Sequence, residues 1–227
     1  MQRKGAGLSI TRVGVVGGTG PAGKGLAFRL ASAEVQVVVG SRDPQRALAV
    51  CQKVDSGRSW KRFMNGGTNE DAAECDLVVL ATPWDALVPT IKPLKDILAG
   101  KIVVTIANAL VKTNQEFQPV LLAEGSVAAL VSSLLPASSI VSAFQHVPAG
   151  ELLDSDHDLK LDVLMCGDDV PSKLLTAEIF GRIDGVRLLD GGSLAMSGAI
   201  EAMTAVLLNL NLKYKTRTSI RISGIEA

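Results

Sequence analysis

A doubly wound α/β sheet is the architecture the sequence predicts, on three observations. Apolar runs of strand length alternate with helix-length segments through the first half of the chain. The runs are continuous and β-branched rather than alternating, which marks strands buried on both faces of a parallel sheet. The links between them are short, so each strand–helix–strand unit is expected to close as a right-handed crossover.

Val13-Gly14-Val15-Val16 reads as the first strand and feeds a helix over 21–33. A second strand is expected over 35–39 and a second helix from Pro44 to about residue 54. A weak strand near Arg62-Phe63-Met64 and a short helix from Glu70 follow, then a strand over 76–81. Residues 84–98 read as a helix carrying Pro89 and Pro93, and 102–105 as a strand. The rhythm changes after Leu135-Pro136. Strands are expected over 140–144, 162–165 and 186–189, with helices over 172–182 and 194–212. The last helix has more apolar positions than one stripe needs, so it is buried or sits at a subunit interface.

At 227 residues and about 150 residues per domain, the chain makes one large domain, or one domain with a small companion. Its 23 basic and 23 acidic residues cancel, which argues against nucleic acid or an anionic membrane as a partner. Cys51, Cys75 and Cys166 form no CxxC pair and suit a reducing compartment, so a cytoplasmic location is expected. No signal peptide and no membrane span is read. With His146 and His157 the only imidazoles, no metal site is expected.

The first strand runs into Gly17-Gly18-Thr19-Gly20-Pro21-Ala22-Gly23. Gly18, Gly20 and Gly23 satisfy G-x-G-x-x-G in the strand–turn–helix setting that binds a dinucleotide, which makes the sheet Rossmann-type. The glycines allow a tight turn, close approach of the pyrophosphate and close helix packing, and the helix N-terminus faces the phosphates. The second strand ends Gly40-Ser41-Arg42-Asp43-Pro44-Gln45-Arg46. A carboxylate that would hold a free ribose 2′-hydroxyl is missing from the tip. Arg42 and Arg46 instead stand where a 2′-phosphate would lie, which favours NADP(H). Asp43, just before Pro44, reads as a helix N-cap.

Ligands of such sheets sit beyond the carboxyl ends of the strands. Ala81-Thr82-Pro83-Trp84 should therefore flank the nicotinamide, with Asn108 after the next strand. Trp84 reads equally as a wall on the cofactor or a helix-start core residue. No Tyr-x-x-x-Lys pair or nucleophile elbow is present. His146 is a weak candidate general acid and more simply structural; His157 reads as a loop residue. Cys166-Gly167-Asp168-Asp169 reads either as a thiol or carboxylate site or as a strand end and helix cap. With no catalytic residue in evidence, the site suits hydride transfer between two rings held by positioning.

The blocks around the glycine turn, Gly40-Ser41-Arg42, Asn69-Glu70-Asp71-Ala72-Ala73 and Thr82-Pro83-Trp84 resemble the NADPH-dependent reductases of the deazaflavin coenzyme F420. So do Val141-Ser142-Ala143-Phe144, Cys166-Gly167-Asp168-Asp169 and Ile183-Asp184-Gly185-Val186. The resemblance implies an NADP-binding domain over 1–136 and a small C-terminal α/β domain over 137–227. It implies NADP(H) on Thr19, Gly20, Pro21 and Ala22, with its 2′-phosphate on Ser41, Arg42 and Arg46. Coenzyme F420 would be a co-substrate, reached by Gln145 to Ala149 and by a C-terminal strand near Thr218, Ser219 and Arg221. A homodimer through the C-terminal helices is also implied. The family commonly carries His where Gln145 stands, and here His146 follows instead. The alternatives are an NADPH-dependent reductase of a flavin, imine or carbonyl, and a non-catalytic NADP-sensing module.

Overall fold

The computed structural model describes residues 10–53, 58–154 and 158–225. His157 lies outside them. The strands are β1 (Arg12–Val16), β2 (Gln36–Ser41), β3 (Met64–Thr68), β4 (Leu77–Leu80), β5 (Ile102–Thr105), β6 (Leu110–Lys112), β7 (Phe117–Pro119), β8 (Ser139–Ser142), β9 (Leu161–Gly167) and β10 (Val186–Asp190). The helices are α1 (Pro21–Ser32), α2 (Pro44–Gln52), α3 (Asn69–Ala73), α4 (Trp84–Ile91), α5 (Lys95–Leu98), α6 (Val127–Leu134), α7 (Ala149–Leu153), α8 (Val170–Phe180) and α9 (Ser197–Tyr214).

Eight strands form one sheet in the order β10-β9-β8-β5-β4-β1-β2-β3, and β6 pairs with β7 in a separate hairpin. Pairing is parallel except between β8 and β9, where Val141 faces Gly167 and Ser142 faces Cys166. The strand order reverses between β1 and β4, which sets the switch point where a doubly wound sheet opens its crevice.

Continuous apolar strands serve two cores at once. Val13, Val15, Leu77, Val79 and Val104 point into one core, under α1 and α8. Val16, Val78, Leu80 and Val103 point into the other, under α4 and α6. Gly14 completes the alternation because α3 crosses there: a Cβ would lie 1.8 Å from the Ala72 carbonyl oxygen.

Several expectations shift. The helix over 84–98 breaks into α4, a 3₁₀ turn at Lys92–Leu94 and α5, because Pro93 lacks an N–H and its ring crowds the preceding turn. The weak strand near Arg62 starts later; Ser59–Phe63 is a 3₁₀ turn, and β3 runs through Gly66, where a Cβ would meet the Leu48 nitrogen at 2.5 Å. The hairpin, α6 and α7 were not legible in the sequence. The expected strand near Thr218 to Arg221 does not form. One ladder-like bond joins the Asp162 N–H to the Ile220 oxygen at 2.8 Å, but the Ile222 N–H goes to the Asp162 carboxylate at 2.6 Å.

The boundary read at 136/137 falls between α6 and β8, and β8 to β10 extend the same sheet as the first half. Two contacts tie the halves further. Buried Arg29 of α1 donates to the carbonyls of Glu151, at 2.9 Å, Leu152 and Asp154. Glu201 of α9 accepts from the first N–H groups of α6, Val127 at 2.8 Å and Ala128 at 3.1 Å, capping that helix.

Candidate functional site: the crevice at the switch point

The chain leaves β1 through Gly17, whose φ of +71° is the left-handed region that side chains rarely enter. A Cβ there would also lie 2.5 Å from the Thr82 methyl. Gly17 is thus required by backbone conformation, and Gly18 by close approach, since a Cβ there would lie 2.8 Å from the Val15 oxygen. The Gly18 N–H donates to the Val15 and Gly40 oxygens at 3.1 and 2.9 Å, binding the turn to the end of β2. Gly23 allows α1 to pack, since a Cβ there would meet the Ala81 Cβ at 2.8 Å. Around Gly20 the space is open, with only the Gly17 oxygen at 3.8 Å. A missing side chain there leaves the backbone free for a ligand.

Gly20 is the N-cap of α1, offers no side-chain cap, and no acidic residue lies in the first turn. The free N–H groups and the positive helix end suit a phosphate. At the tip of β2, Ser41 is buried and accepts from the Asp43 N–H at 3.2 Å. Asp43 accepts from the Gln45 N–H at 3.0 Å with Pro44 in the first helical position, the cap read from the sequence. Arg42 and Arg46 stay exposed.

These parts converge. Thr19, Gly20, Pro21, Ser41, Arg42, Arg46, Ala81 and Thr82 line one crevice of about 490 Å³. The same crevice is lined by Gly17 and Asn69, which the sequence reading left out of the site. Asn69 is buried, and its Oδ1 accepts from the Gly17 N–H at 3.1 Å, so it holds the turn. Its place in the Asn69–Ala73 block was the available signal. Gly17→Ala is expected to destabilise the fold by roughly 1–3 kcal/mol, the range for a side chain forced to positive φ. Thermal unfolding and NADPH titration of the variant measure both consequences.

The other expected residues lie elsewhere. Gly18 and Gly23 are buried under the turn, and Ala22 packs against the first core. Trp84 packs against the second core, which favours the helix-start reading. Asn108 Nδ2 donates to the Gln145 carbonyl at 2.8 Å, and Gln145 Nε2 donates to Ser142 Oγ. Ala149 opens α7. The Thr218 N–H donates to Asn211 Oδ1 at 2.7 Å, and Ser219 lines a separate cavity with Glu151, Leu161 and Arg217. These two are not brought to the crevice, because Asp162 draws the C-terminal segment along the start of β9.

Buried His146 holds Nε2 3.0 Å from the Asp162 carbonyl. Burial lowers its pKa, which keeps the ring neutral. Thr82 Oγ1, Asn108 Oδ1, Gln145 Oε1 and His146 Nδ1 are buried and lack a hydrogen-bond partner. An unmet buried polar atom costs about 1–3 kcal/mol, and of these four residues Thr82 lines the crevice. Among the described residues no cluster of His, Cys, Asp or Glu suits a metal. Asp169 accepts from the Ser172 N–H at 2.9 Å as the N-cap of α8, the capping reading of that motif, and Asp168 accepts from the distant Leu194 N–H at 2.9 Å. Burial raises the Cys166 pKa, as it does for Cys51, pushed up to about 11. Neither is a poised thiolate.

Residues 12–109 match the family described as NADP oxidoreductase, coenzyme F420-dependent. The F420-dependent NADP reductase of Methanocaldococcus jannaschii is 40% identical over 95% of this chain and 99% of its own length. That of Methanothermobacter marburgensis is 33% identical over 94% and 99%. A crystal structure of a candidate F420-dependent NADP reductase from Arthrobacter sp. FB24 has a TM-score of 0.77 at 22% identity, covering 94% of this chain and all of that one, which supports the fold. With 40% identity across almost the full length of both chains, and a Rossmann-type crevice built from the glycine turn and a Ser-Arg strand tip, the chain belongs to the F420-dependent NADP reductase family.

Proposed function

We propose that the protein is an oxidoreductase that transfers a hydride directly between NADP(H) and coenzyme F420. The observation that carries this reading is the convergence of Ser41, Arg42 and Arg46 with the glycine turn on one crevice. NADP(H) would lay its pyrophosphate on the N–H groups around Gly20 to Ala22 and its 2′-phosphate on Ser41 and the two guanidiniums. Thr82, Asn108 and Gln145 would orient the two rings through the polar atoms that lack a protein partner. Gln145 to Ala149, within residues 137–227, would form the deazaflavin side. Both electrons travel as one hydride, so the protein needs to position the rings and exclude water rather than donate a proton. Among the described residues the only carboxylate lining the crevice is Asp43, already used as a helix cap.

A cytoplasmic homodimer completes the reading. All three cysteines are free thiols, as a reducing compartment permits. Val206 and Tyr214 of α9 are 57% and 64% exposed, with Leu210 between them on the same helical face. Such a stripe at i, i+4, i+8 suits a helix partner. Light scattering of the purified protein should give twice the chain mass.

The deciding assay mixes protein, NADPH and oxidised F420 and follows loss of the deazaflavin absorbance band. Rapid bleaching is expected. NADPH oxidation seen only with a flavin, imine or carbonyl would transfer the reading to another acceptor. Tight NADPH binding without turnover by any acceptor would leave a sensing module.

A further inference from the structure

A second concave surface adjoins the crevice. It is a groove of about 470 Å³ between α1 and α2, lined by Thr19, Lys24, Phe28, Arg46, Val50 and Lys53. Every charged residue that lines it is a cation. Among the described residues none of the three cations has an ion-pair partner. Three like charges facing one groove repel, and the apolar floor of Phe28 and Val50 lowers the local dielectric and strengthens that repulsion. The helices add to it. Lys24 and Arg46 lie in the N-terminal turns of α1 and α2, neither of which has an acidic residue in its first turn. The positive helix end disfavours a cation there. An anion in the groove would relieve all of these terms together.

The groove shares Thr19 and Arg46 with the crevice, but it reaches further. Arg46 and Lys53 stand at opposite ends of α2, about 10 Å apart along the axis at the usual helical rise. A 2′-phosphate held at Ser41, Arg42 and Arg46 therefore leaves Lys24 and Lys53, the two further cations of the groove, without a counter-charge.

We propose that this groove is an anion subsite for an inorganic phosphoanion longer than a single phosphoryl group, of the pyrophosphate type. Lys24 and Lys53 hold it at one end and along the side, and Arg46 is contested between it and the 2′-phosphate of NADP(H). Bound pyrophosphate therefore competes with NADPH and spares NADH. The competition rests on the NADP reading of Arg46; the binding of pyrophosphate by itself does not.

The test is calorimetric titration of the full chain with pyrophosphate, without nucleotide, at an ionic strength held constant with potassium chloride. Pyrophosphate is expected to bind at one site, and at least ~10-fold (about 1.4 kcal/mol) more tightly than orthophosphate. Lys24→Gln/Lys53→Gln should weaken pyrophosphate at least ~10-fold while NADPH affinity in phosphate-free buffer moves less than ~3-fold. Thermal melts confirm that this surface variant folds. Absence of pyrophosphate binding, binding unchanged in the double variant, or an equal loss for NADPH would each overturn the proposal. The last outcome would assign both lysines to the cofactor. Failure of F420 turnover would leave the groove untouched, so the two readings fail separately.

Discussion

Replacing Arg42 and Arg46 together by alanine is expected to raise the NADPH dissociation constant by roughly 100-fold, about 2.8 kcal/mol, while NADH changes by less than ~3-fold. Both side chains are exposed and line the crevice beside Ser41. Neither contributes to the core, so the variant should fold normally. Hydrogen bonds to charged groups are worth about 1.5–3 kcal/mol each, and a guanidinium can make two to one phosphate. Two such groups make the estimate conservative. Arg42→Ala alone should cost NADPH at least ~10-fold. Fluorescence titration with both nucleotides reads the difference directly. An equal loss for NADPH and NADH would remove the 2′-phosphate from this position.

Asp162→Ala should destabilise the fold by on the order of 3 kcal/mol, the usual consequence of leaving one member of a buried ion pair alone. The Asp162 side chain is fully buried and accepts two bonds from Arg187, each 2.7 Å. It also accepts from the Ile222 N–H, with Arg221 3.8 Å away. Arg187 in turn donates to the Ile222 and Ile225 carbonyls. One carboxylate therefore organises β9, β10 and the C-terminal segment together. The Arg187 hydrogen bonds hold its pKa below the ordinary 3.8, with the Ile222 N–H and Arg221 adding to the effect. A carboxylate with a depressed folded-state pKa contributes stability that is present above its unfolded pKa and is lost as pH falls through the folded value. Urea unfolding across pH should show a steep acid limb below about 4 in the parent protein and a flatter one in the variant. Limited proteolysis should cut within 216–225 faster in the variant. An unchanged acid limb would show that the pair is not coupled to folding.

Much of the first half was legible because its signals are local. A run such as Leu77-Val78-Val79-Leu80 alternates between two cores, so its composition alone betrays a strand buried on both faces. The glycine turn, the Asp43-Pro44 cap and the Asp169 cap are likewise set by neighbours a few residues away. The break at Pro93 is local too, since proline lacks the N–H that a continuous helix needs there. The short elements were not readable. The β6–β7 hairpin is fixed partly by Asn209, whose side chain bonds the Phe117 N–H at 2.7 Å and its carbonyl at 2.9 Å from 92 residues away.

What the sequence by itself determined is the alternating sheet, the glycine-rich turn and the cationic strand tip, because each depends on backbone conformations and charges that are adjacent in the chain. Only the tertiary structure decided that Gly17 carries the left-handed turn, that Asn69 secures it, and that Asp162 holds the C-terminal segment along β9 instead of letting it pair as a strand. The reason is that a side-chain hydrogen bond across 52 residues, as from Gly17 to Asn69, or across 60, as from Ile222 to Asp162, leaves no periodic trace in the sequence and exists only once the sheet has brought its ends together.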